Sequence, residues 1–271
     1  MPDLPPELER EIFELALKSN HNAASKLALS LVARRVQCWV DLAFYEMVTI
    51  LHESHAAKFV DLIESNLKPP GFFVAVKILC LPYSVTAEQA CAILSVCTEV
   101  QLLACWVDYN DALELPPLVG RLPLRRLSVE FRHFLKIPLV PSAWFSDLTH
   151  LDLVLWDYAD DLPQMDLSAL SRLPRVTHVA MQAFRTGPEH AAVVCASCPN
   201  LRVLVMITYQ DHDDTDPTPD YLFDPRIVVQ EGPSLITRDW EAPYFDWPDM
   251  WSQAEDVLEE RRLGGRQAIA R

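Results

Sequence analysis

The chain has 271 residues, half of them apolar, and a formal net charge of −15, so it is long and hydrophobic enough for one large domain or two smaller ones and does not have a disordered composition. Because 38 acidic residues outnumber 23 Lys and Arg, phosphates would be repelled, which argues against nucleic acid as a general partner. The seven cysteines are odd in number and lie mostly in apolar runs, which indicates buried thiols rather than a disulfide framework.

The first fifty residues predict short helices. Pro5 and Pro6 suit the first turn of a helix, where a missing backbone N–H costs nothing. Leu8, Ile12 and Leu15 then recur at helical spacing and form one apolar stripe.

Two more helices are predicted before residue 50. Leu27, Leu31 and Val32 form the second apolar stripe, and a third helix is predicted to run through Phe44 and Met47. Three helices in about fifty residues are close to the lower limit for an independent core, so we expect this unit to pack against the rest of the chain.

From residue 76 onward the sequence repeats the pattern apolar-x-x-apolar-x-apolar. The copies are VKILCL (76–81), VQLLAC (100–105), LRRLSV (124–129), LTHLDL (148–153), VTHVAM (176–181) and LRVLVM (201–206). Their starts are separated by 24, 24, 24, 28 and 25 residues, with helix-like segments between them. This period predicts stacked strand–helix units that share one core. An ordinary β-α-β sheet stays open as the alternative.

The end of the chain changes character. RIVVQ (226–230) is predicted to be a seventh strand that closes the stack. Trp240, Trp247 and Trp251 follow close together, and an amphipathic helix continues from Trp251. Stacked repeats need a terminal cap with one polar side, and this segment suits that role.

Positions three, five and seven of each repeat should point away from the connecting helices, because side chains alternate along a strand. We call this surface the concave face. Its predicted partner-binding residues are Trp106, Arg126, Glu130, His150, Asp152, His178 and Gln182. Ser128 lies on the same predicted surface. A polar centre with apolar neighbours suits a protein or peptide partner. A solvated sheet, or partial cover by the tail, stays open as the alternative.

Sequence motifs of nucleophilic, metallopeptidase, P-loop or dinucleotide-binding enzymes are absent, so we expect no catalytic residues, no metal and no cofactor. Cys195 and Cys198 form a lone C-x-x-C that lacks the second pair a zinc site needs, and we interpret them as buried. An enzyme with an unrecognised site stays open as an alternative, which a deep pocket around His150 and Asp152 would favour.

Two other polar clusters are interpreted without a metal. The acidic stretch DHDDTDPTPD (211–220) lacks the Gly and Glu positions of an EF-hand loop, and we interpret it as an exposed insertion. His52 and His55 are spaced to share a helical face, which we interpret as a solvated polar surface.

The opening LPPELEREIF (4–13), followed by LSLVARRVQCWVDLAFYEMVTI (29–50), resembles an F-box-like domain. With the leucine-rich-like repeats and the tail motif DMWSQAE (249–255), nearly the whole chain resembles the F-box-like proteins abundant in mushroom-forming fungi. The implied fold class is α/β: an N-terminal three-helix F-box-like domain, an irregular leucine-rich-repeat-like α/β solenoid and a C-terminal capping helix. The implied boundaries are 1–50 for the box, 51–230 for the repeats, and 231–271 for the cap and tail.

The resemblance also implies a function. F-box domains dock on the Skp-family adaptor of cullin-RING ubiquitin ligases, so the chain is expected to be a substrate-recognition subunit that holds an unknown protein target through protein–protein contacts only. The positions that match the family's adaptor contacts are Leu4, Pro5, Leu8, Ile12, Leu31 and Val32. A repeat scaffold with a structural box and no ligase role is the alternative, and an exposed apolar face around Leu4, Leu8 and Ile12 would favour the ligase role over it.

The expected location is intracellular, cytoplasmic or nuclear. No cationic start leads into an apolar signal-peptide core, and the longest apolar runs are too short to span a bilayer. We therefore expect neither a membrane nor nucleic acid among the partners.

Overall fold

The computed structural model describes residues 4–19, 23–110, 112–138, 143–155, 167–182, 186–209 and 223–269. The fold is mixed α/β, with one parallel sheet and helices between its strands. The strands are β1 (Met47–Thr49), β2 (Ile78–Leu81), β3 (Leu102–Cys105), β4 (Arg126–Glu130), β5 (His150–Val154), β6 (His178–Gln182), β7 (Val203–Thr208) and β8 (Ile227–Glu231).

The helices of the described ranges are mostly short. They are α1 (Pro6–Ser19), α2 (Ala23–Ser30), α3 (Arg34–Phe44), α4 (Glu53–Glu64), α5 (Ala87–Val96), α6 (Leu115–Val119), α7 (Phe131–Phe134), α8 (Ala143–Asp147), α9 (Pro188–Ser197), α10 (Ile236–Glu241) and α11 (Met250–Ile269). Three 3-10 helices cover Phe72–Ala75, Leu167–Arg172 and Ala242–Tyr244. In these ranges, no helix is both long and apolar enough to cross a bilayer.

The sheet follows the repeat pattern of the sequence. Its eight strands lie in chain order, and each pairs in parallel with the next. The third residues of the six repeats lie side by side across the sheet: Ile78, Leu102, Arg126, His150, His178 and Val203. The repeat alignment is therefore the observed strand register, and β8 confirms the predicted seventh strand.

The main core is built from the same repeat. The residues at positions one, four and six of every copy pack into one cluster and are at most 5% exposed. The connecting helices complete it, for example through Ile93 of α5 and Val194 of α9, which are fully buried. A single four- or five-residue strand buries little surface alone, so each copy depends on its neighbours for its share of the core.

The N-terminal helices have a separate small core. Leu17 of α1 packs with Val36, Val40 and Ala43 of α3. Helix α1 therefore has two apolar sides. The side that packs against α3 is not the predicted stripe of Leu8, Ile12 and Leu15. Arg35 joins the same two helices by donating two hydrogen bonds to the Glu9 carboxylate, at 2.8 and 3.0 Å.

The prediction of a helix through Met47 is wrong. Helix α3 ends at Phe44, and Met47–Thr49 instead pairs with Ile78–Cys80 as the first strand of the sheet. The amides of Lys77 and Ile78 donate to the Glu46 carbonyl and start this pairing. The β-branched side chains of this short segment suit a strand, so the sheet begins inside the first fifty residues.

The C-terminal helix lies on the sheet. Helix α11 lies across the concave face at β6 to β8, which agrees with the alternative of partial cover by the tail. Met250, Trp251 and Ala254 pack there against a cluster of sheet residues: Ala180, Val203, Val205, Ile207 and Val228. Arg261 also reaches the last strand, where its Nη1 donates to the Ile227 carbonyl at 2.7 Å. The tail thus covers the sheet as well as touching its final strand.

The core predicts that replacing a buried leucine lowers the free energy of unfolding far more than replacing an exposed one. Leu151 is fully buried on β5, whereas Leu67 is 80% exposed. We expect Leu151→Ala to lower the free energy of unfolding by about 2–5 kcal/mol, because it removes buried apolar contacts and leaves a cavity. Leu67→Ala should change it by less than about 0.5 kcal/mol. Urea unfolding followed by circular dichroism measures both, and equal effects would contradict the assigned core.

Candidate functional site

The concave face is covered by the chain's own C-terminal segment, which we define as residues 236–258. Trp240 of α10 packs on Cys80, Ala104 and Trp106. Helix α11 covers the neighbouring strands β6 to β8 through Trp251 and the residues beside it. The structure therefore shows that the tail covers part of this face, and the alternative of a solvated sheet is wrong there.

Arg126 is the charged residue that joins the two layers. It lies at position three of β4, its side chain is 7% exposed, and its Nη1 donates to Asp249 Oδ2 at 2.7 Å. Its Nη2 lies 3.6 Å from Asp239 Oδ2. The guanidinium carbon is 4.8 Å from the Trp240 ring centroid and 5.8 Å from that of Trp251. Carboxylates and aromatic faces of the C-terminal segment thus enclose one buried cation.

The two predicted histidines lie under Trp251. The rings of His150 and His178 stack with centroids 4.2 Å apart, and Trp251 meets both edge-on at 5.3 and 5.7 Å. His178 Nε2 lies 3.2 Å from Glu255 Oε1, which also pairs with Arg202 at 3.1 Å. Burial lowers the pKa of His150 to about 3 and also lowers the pKa of His178. Both rings are therefore neutral near pH 7.

A hydrogen-bonded chain crosses the middle of the concave face. Trp106 Nε1 donates to Ser128 Oγ at 2.9 Å, and Ser128 Oγ donates to Asp152 Oδ2 at 2.6 Å. Burial raises the pKa of Asp152 to about 6, although the Ser128 hydrogen bond and the Arg126 charge both oppose the rise. Removal from water is thus the dominant influence on this carboxyl group.

The side chains of Glu130 and Gln182 both accept hydrogen bonds from backbone amides. Glu130 Oε2 accepts a hydrogen bond from the His133 amide at 3.0 Å and so caps the N-terminus of α7. Gln182 Oε1 accepts from the Leu155 amide at 3.3 Å. Each side chain satisfies an amide just beyond the end of a strand, a structural role that differs from contact with a partner.

A cavity of about 260 Å³ lies between the concave face and the C-terminal segment. The sheet side contributes Trp106, Arg126, Asp152, Gln182 and Tyr209, and the C-terminal segment contributes Ile236, Asp239, Trp240 and Met250. Gly232 allows the Tyr209 ring to come close, because a Cβ there would meet Tyr209 Cε1 at 2.7 Å. Ile236 is 45% exposed and marks the mouth. The structure thus brings four of the seven predicted concave-face residues to one hollow.

The predicted adaptor contacts lie on the surface of the N-terminal helices. Leu8 and Ile12 on α1 are 48% and 52% exposed, and Leu4 before the helix is 58% exposed. Pro5 is also exposed. Leu31 and Val32, between α2 and α3, are 78% and 61% exposed. None of these six residues belongs to the small core of this unit, so they are available for contact.

The other polar clusters show no assembled metal site. In the described ranges, no group of three His, Cys, Asp or Glu side chains is placed to hold a metal ion. Cys198 is buried, and burial raises the pKa of Cys195 to about 12 and that of Cys198 to about 11, which disfavours the thiolate. His52 and His55 lie near each other, with ring centroids 4.2 Å apart. The acidic stretch 211–220 lies outside the described residues.

Sequence reasoning missed the C-terminal partners of the concave face. Asp239 and Asp249, which flank Arg126, were not among the predicted site residues, and neither were Tyr209 and Met250 in the cavity wall. Charge complementarity could have identified these partners. An arginine on the concave face needs an acidic partner when it is buried. The acidic, tryptophan-rich tail is where such a partner occurs.

No protein-family model matches the chain, and no curated protein matches it.

The buried histidines predict a loss of stability in acid. The pKa of His150 is about 3 in the fold and about 6.5 when unfolded, so between these values the unfolded chain takes up a proton that the folded chain does not. Stability is lost as pH falls through this window. The charged or titratable groups that act on His150 are His178, Arg126, Arg202 and Asp249.

We therefore expect His150→Phe to keep the ring stack. Between pH 7 and pH 5, its free energy of unfolding should fall by about 2 kcal/mol less than that of wild type. Urea unfolding at both pH values measures this difference. His150→Gln should flatten the dependence in the same way, whatever its stability at pH 7. An unchanged slope in both variants would show that His150 is not held neutral.

Proposed function

We propose that the chain is an F-box-like substrate-recognition subunit that links a protein target to a Skp/cullin-RING ubiquitin ligase through protein–protein contacts. The observation that carries this proposal is the exposed apolar face of the N-terminal helices. In such a role the chain performs no bond-breaking step and acts by holding the target close to the ligase.

The exposed face has the character of a docking element. Leu8, Ile12 and Leu15 lie on one side of α1 at helical spacing and are 48–61% exposed. Helices that insert an apolar stripe into a partner's groove present anchors in this pattern. Because Phe13 and Leu17 on the other side supply the internal packing, the exposed leucines are not needed to hold the unit together. Large apolar residues left open together indicate an interaction surface.

The sheet supports the repeat part of the proposal. Neighbouring strands in space are always neighbours in the sequence, and the repeat period matches the spacing of the strands. This order favours a leucine-rich-repeat-like solenoid over an ordinary β-α-β sheet, whose strand order usually reverses.

The concave face can bind a protein target only if the C-terminal segment moves away from it. Arg126, His150 and His178 lie beneath the C-terminal segment, so a target reaches them only after that segment leaves the face. Cover of this face favours the second candidate, a repeat scaffold whose box is structural and binds no ligase. The two candidates differ in whether the N-terminal helices bind an adaptor.

Co-purification with a Skp-family adaptor tests the proposal. Wild type should retain the adaptor on a column, and a Leu8→Asp, Ile12→Asp variant should lose at least about tenfold in affinity, because two charges would enter an apolar contact. Leu67→Asp is the matched control, since Leu67 is an exposed leucine outside the N-terminal helices. Circular dichroism establishes that each variant is folded. If folded wild type retains no adaptor, the ligase role is wrong and the scaffold is the better account.

A further inference from the structure

The cavity between the concave face and the C-terminal segment has an unbalanced set of charges. Arg126, Asp152 and Asp239 line it, and Arg126 is already paired with Asp249 behind the wall at 2.7 Å. The carboxyl groups of Asp239 and Asp249 therefore flank the guanidinium, and Asp152 adds a third carboxyl group to the same cavity wall. Among the described residues lining the cavity, Arg126 is the one cation.

Asp152 is the carboxyl group best placed to meet a bound molecule. Its Oδ2 accepts the Ser128 hydrogen bond at 2.6 Å, and its side chain lines the hollow near the middle of the sheet. Burial raises the pKa of both Asp152 and Asp239, which disfavours the charged form of each carboxyl group. A positive group in the cavity would favour the ionised form of each.

The remaining walls suit an apolar or cationic body. The rings of Trp106, Tyr209 and Trp240 line the cavity together with Val154 and Ile207. Aromatic faces attract organic cations, and apolar walls bind the carbon skeleton of such a molecule. An engineered apolar cavity of about 150 Å³ holds benzene, so a volume of about 260 Å³ fits a ligand of about ten non-hydrogen atoms.

We propose that this cavity binds a small organic ammonium ion, with the ammonium group paired to Asp152 and the apolar body against the rings of Trp106, Tyr209 and Trp240. The half-exposed Ile236 at the mouth places the entry beside α10. The site belongs to the covered concave face, so the inference does not depend on adaptor binding by the N-terminal helices.

An anion is disfavoured by the way Arg126 is used. Its Nη1 is bonded to Asp249, and its Nη2 lies 3.6 Å from Asp239. Although Nε and Nη2 have no hydrogen-bond partner among the described residues, both are inaccessible to solvent, and the guanidinium faces the Trp240 ring. An incoming carboxylate would have to displace Asp239 and would meet Asp152 as well.

Three probes of similar size separate the contributions of charge and apolar burial. Phenethylamine is cationic, 2-phenylethanol is neutral and 3-phenylpropanoate is anionic at pH 8. We expect phenethylamine to bind wild type at least roughly tenfold more tightly than 2-phenylethanol, measured by ligand-detected NMR and tryptophan fluorescence. The anion should bind most weakly.

Variants connect the binding to this cavity. Asp152→Asn removes the charge but keeps an oxygen for Ser128, and it should abolish the preference for the amine. Val154→Phe fills the hollow without changing charge and should weaken all three probes. Asp147→Asn is the control, because Asp147 is an exposed carboxyl group paired with Arg175 outside the cavity wall; it should bind like wild type.

Several results would overturn the inference. These are equal affinities for the amine and the alcohol, tightest binding of 3-phenylpropanoate, an Asp152→Asn variant that keeps the preference, or no binding by folded wild type at millimolar concentration. Thermal unfolding of each variant distinguishes a lost site from a lost fold. Adaptor binding is measured separately, so each proposal fails or stands on its own result.

Discussion

The arrangement of the molecule depends on one buried ion pair, between Arg126 on the sheet and Asp249 at the start of the C-terminal helix. At 2.7 Å, with side chains 7% and 13% exposed, the pair is largely removed from water. Removing one side of such a pair typically costs about 3–5 kcal/mol, because the other charge stays buried and uncompensated. The pair therefore fixes where the C-terminal segment lies, and with it the cover over the concave face and the walls of the cavity.

The same segment connects distant parts of the chain. Tyr244 Oη donates to the Ala43 carbonyl of the N-terminal unit at 3.0 Å, and Trp240 packs on the first strands of the repeat sheet. The N-terminal unit is also continuous with the sheet through β1. One face of the molecule is thus closed by internal contacts, while the apolar stripe of α1 points outward. This contrast is why we propose adaptor binding for the N-terminal helices and small-molecule binding for the covered face.

The repeat sheet could be predicted from the sequence because its pattern is local. A strand residue at position four of one copy contacts its equivalents in the next, so spacing alone sets the register from Leu79 to Leu204. The first strand escaped prediction because Met47–Thr49 is three residues long and follows a helix with similar apolar content. On α1, spacing identified an apolar stripe, but not that Leu8 faces solvent while Leu17 faces the core, since that choice depends on contacts with α3.

The site could be predicted on the sheet side alone. Side-chain alternation placed Arg126, His150 and Asp152 on one face, which their register confirms. The acidic partners of Arg126, which are Asp239 and Asp249, come from more than a hundred positions later in the chain. No repeat or periodicity links positions so far apart, and what does link them is the physical need of a buried charge for a counter-charge.

A double-mutant cycle on Arg126 and Asp249 tests the central claim most directly. The variants are Arg126→Met, Asp249→Asn and both together, and the exposed pair Arg175–Asp147, 3.1 Å apart, is the control. The unfolding free energies should give a coupling of about 2–3 kcal/mol for the buried pair and less than about 1 kcal/mol for the exposed one. A coupling near zero for Arg126 and Asp249 would contradict the placement of the C-terminal segment on the sheet.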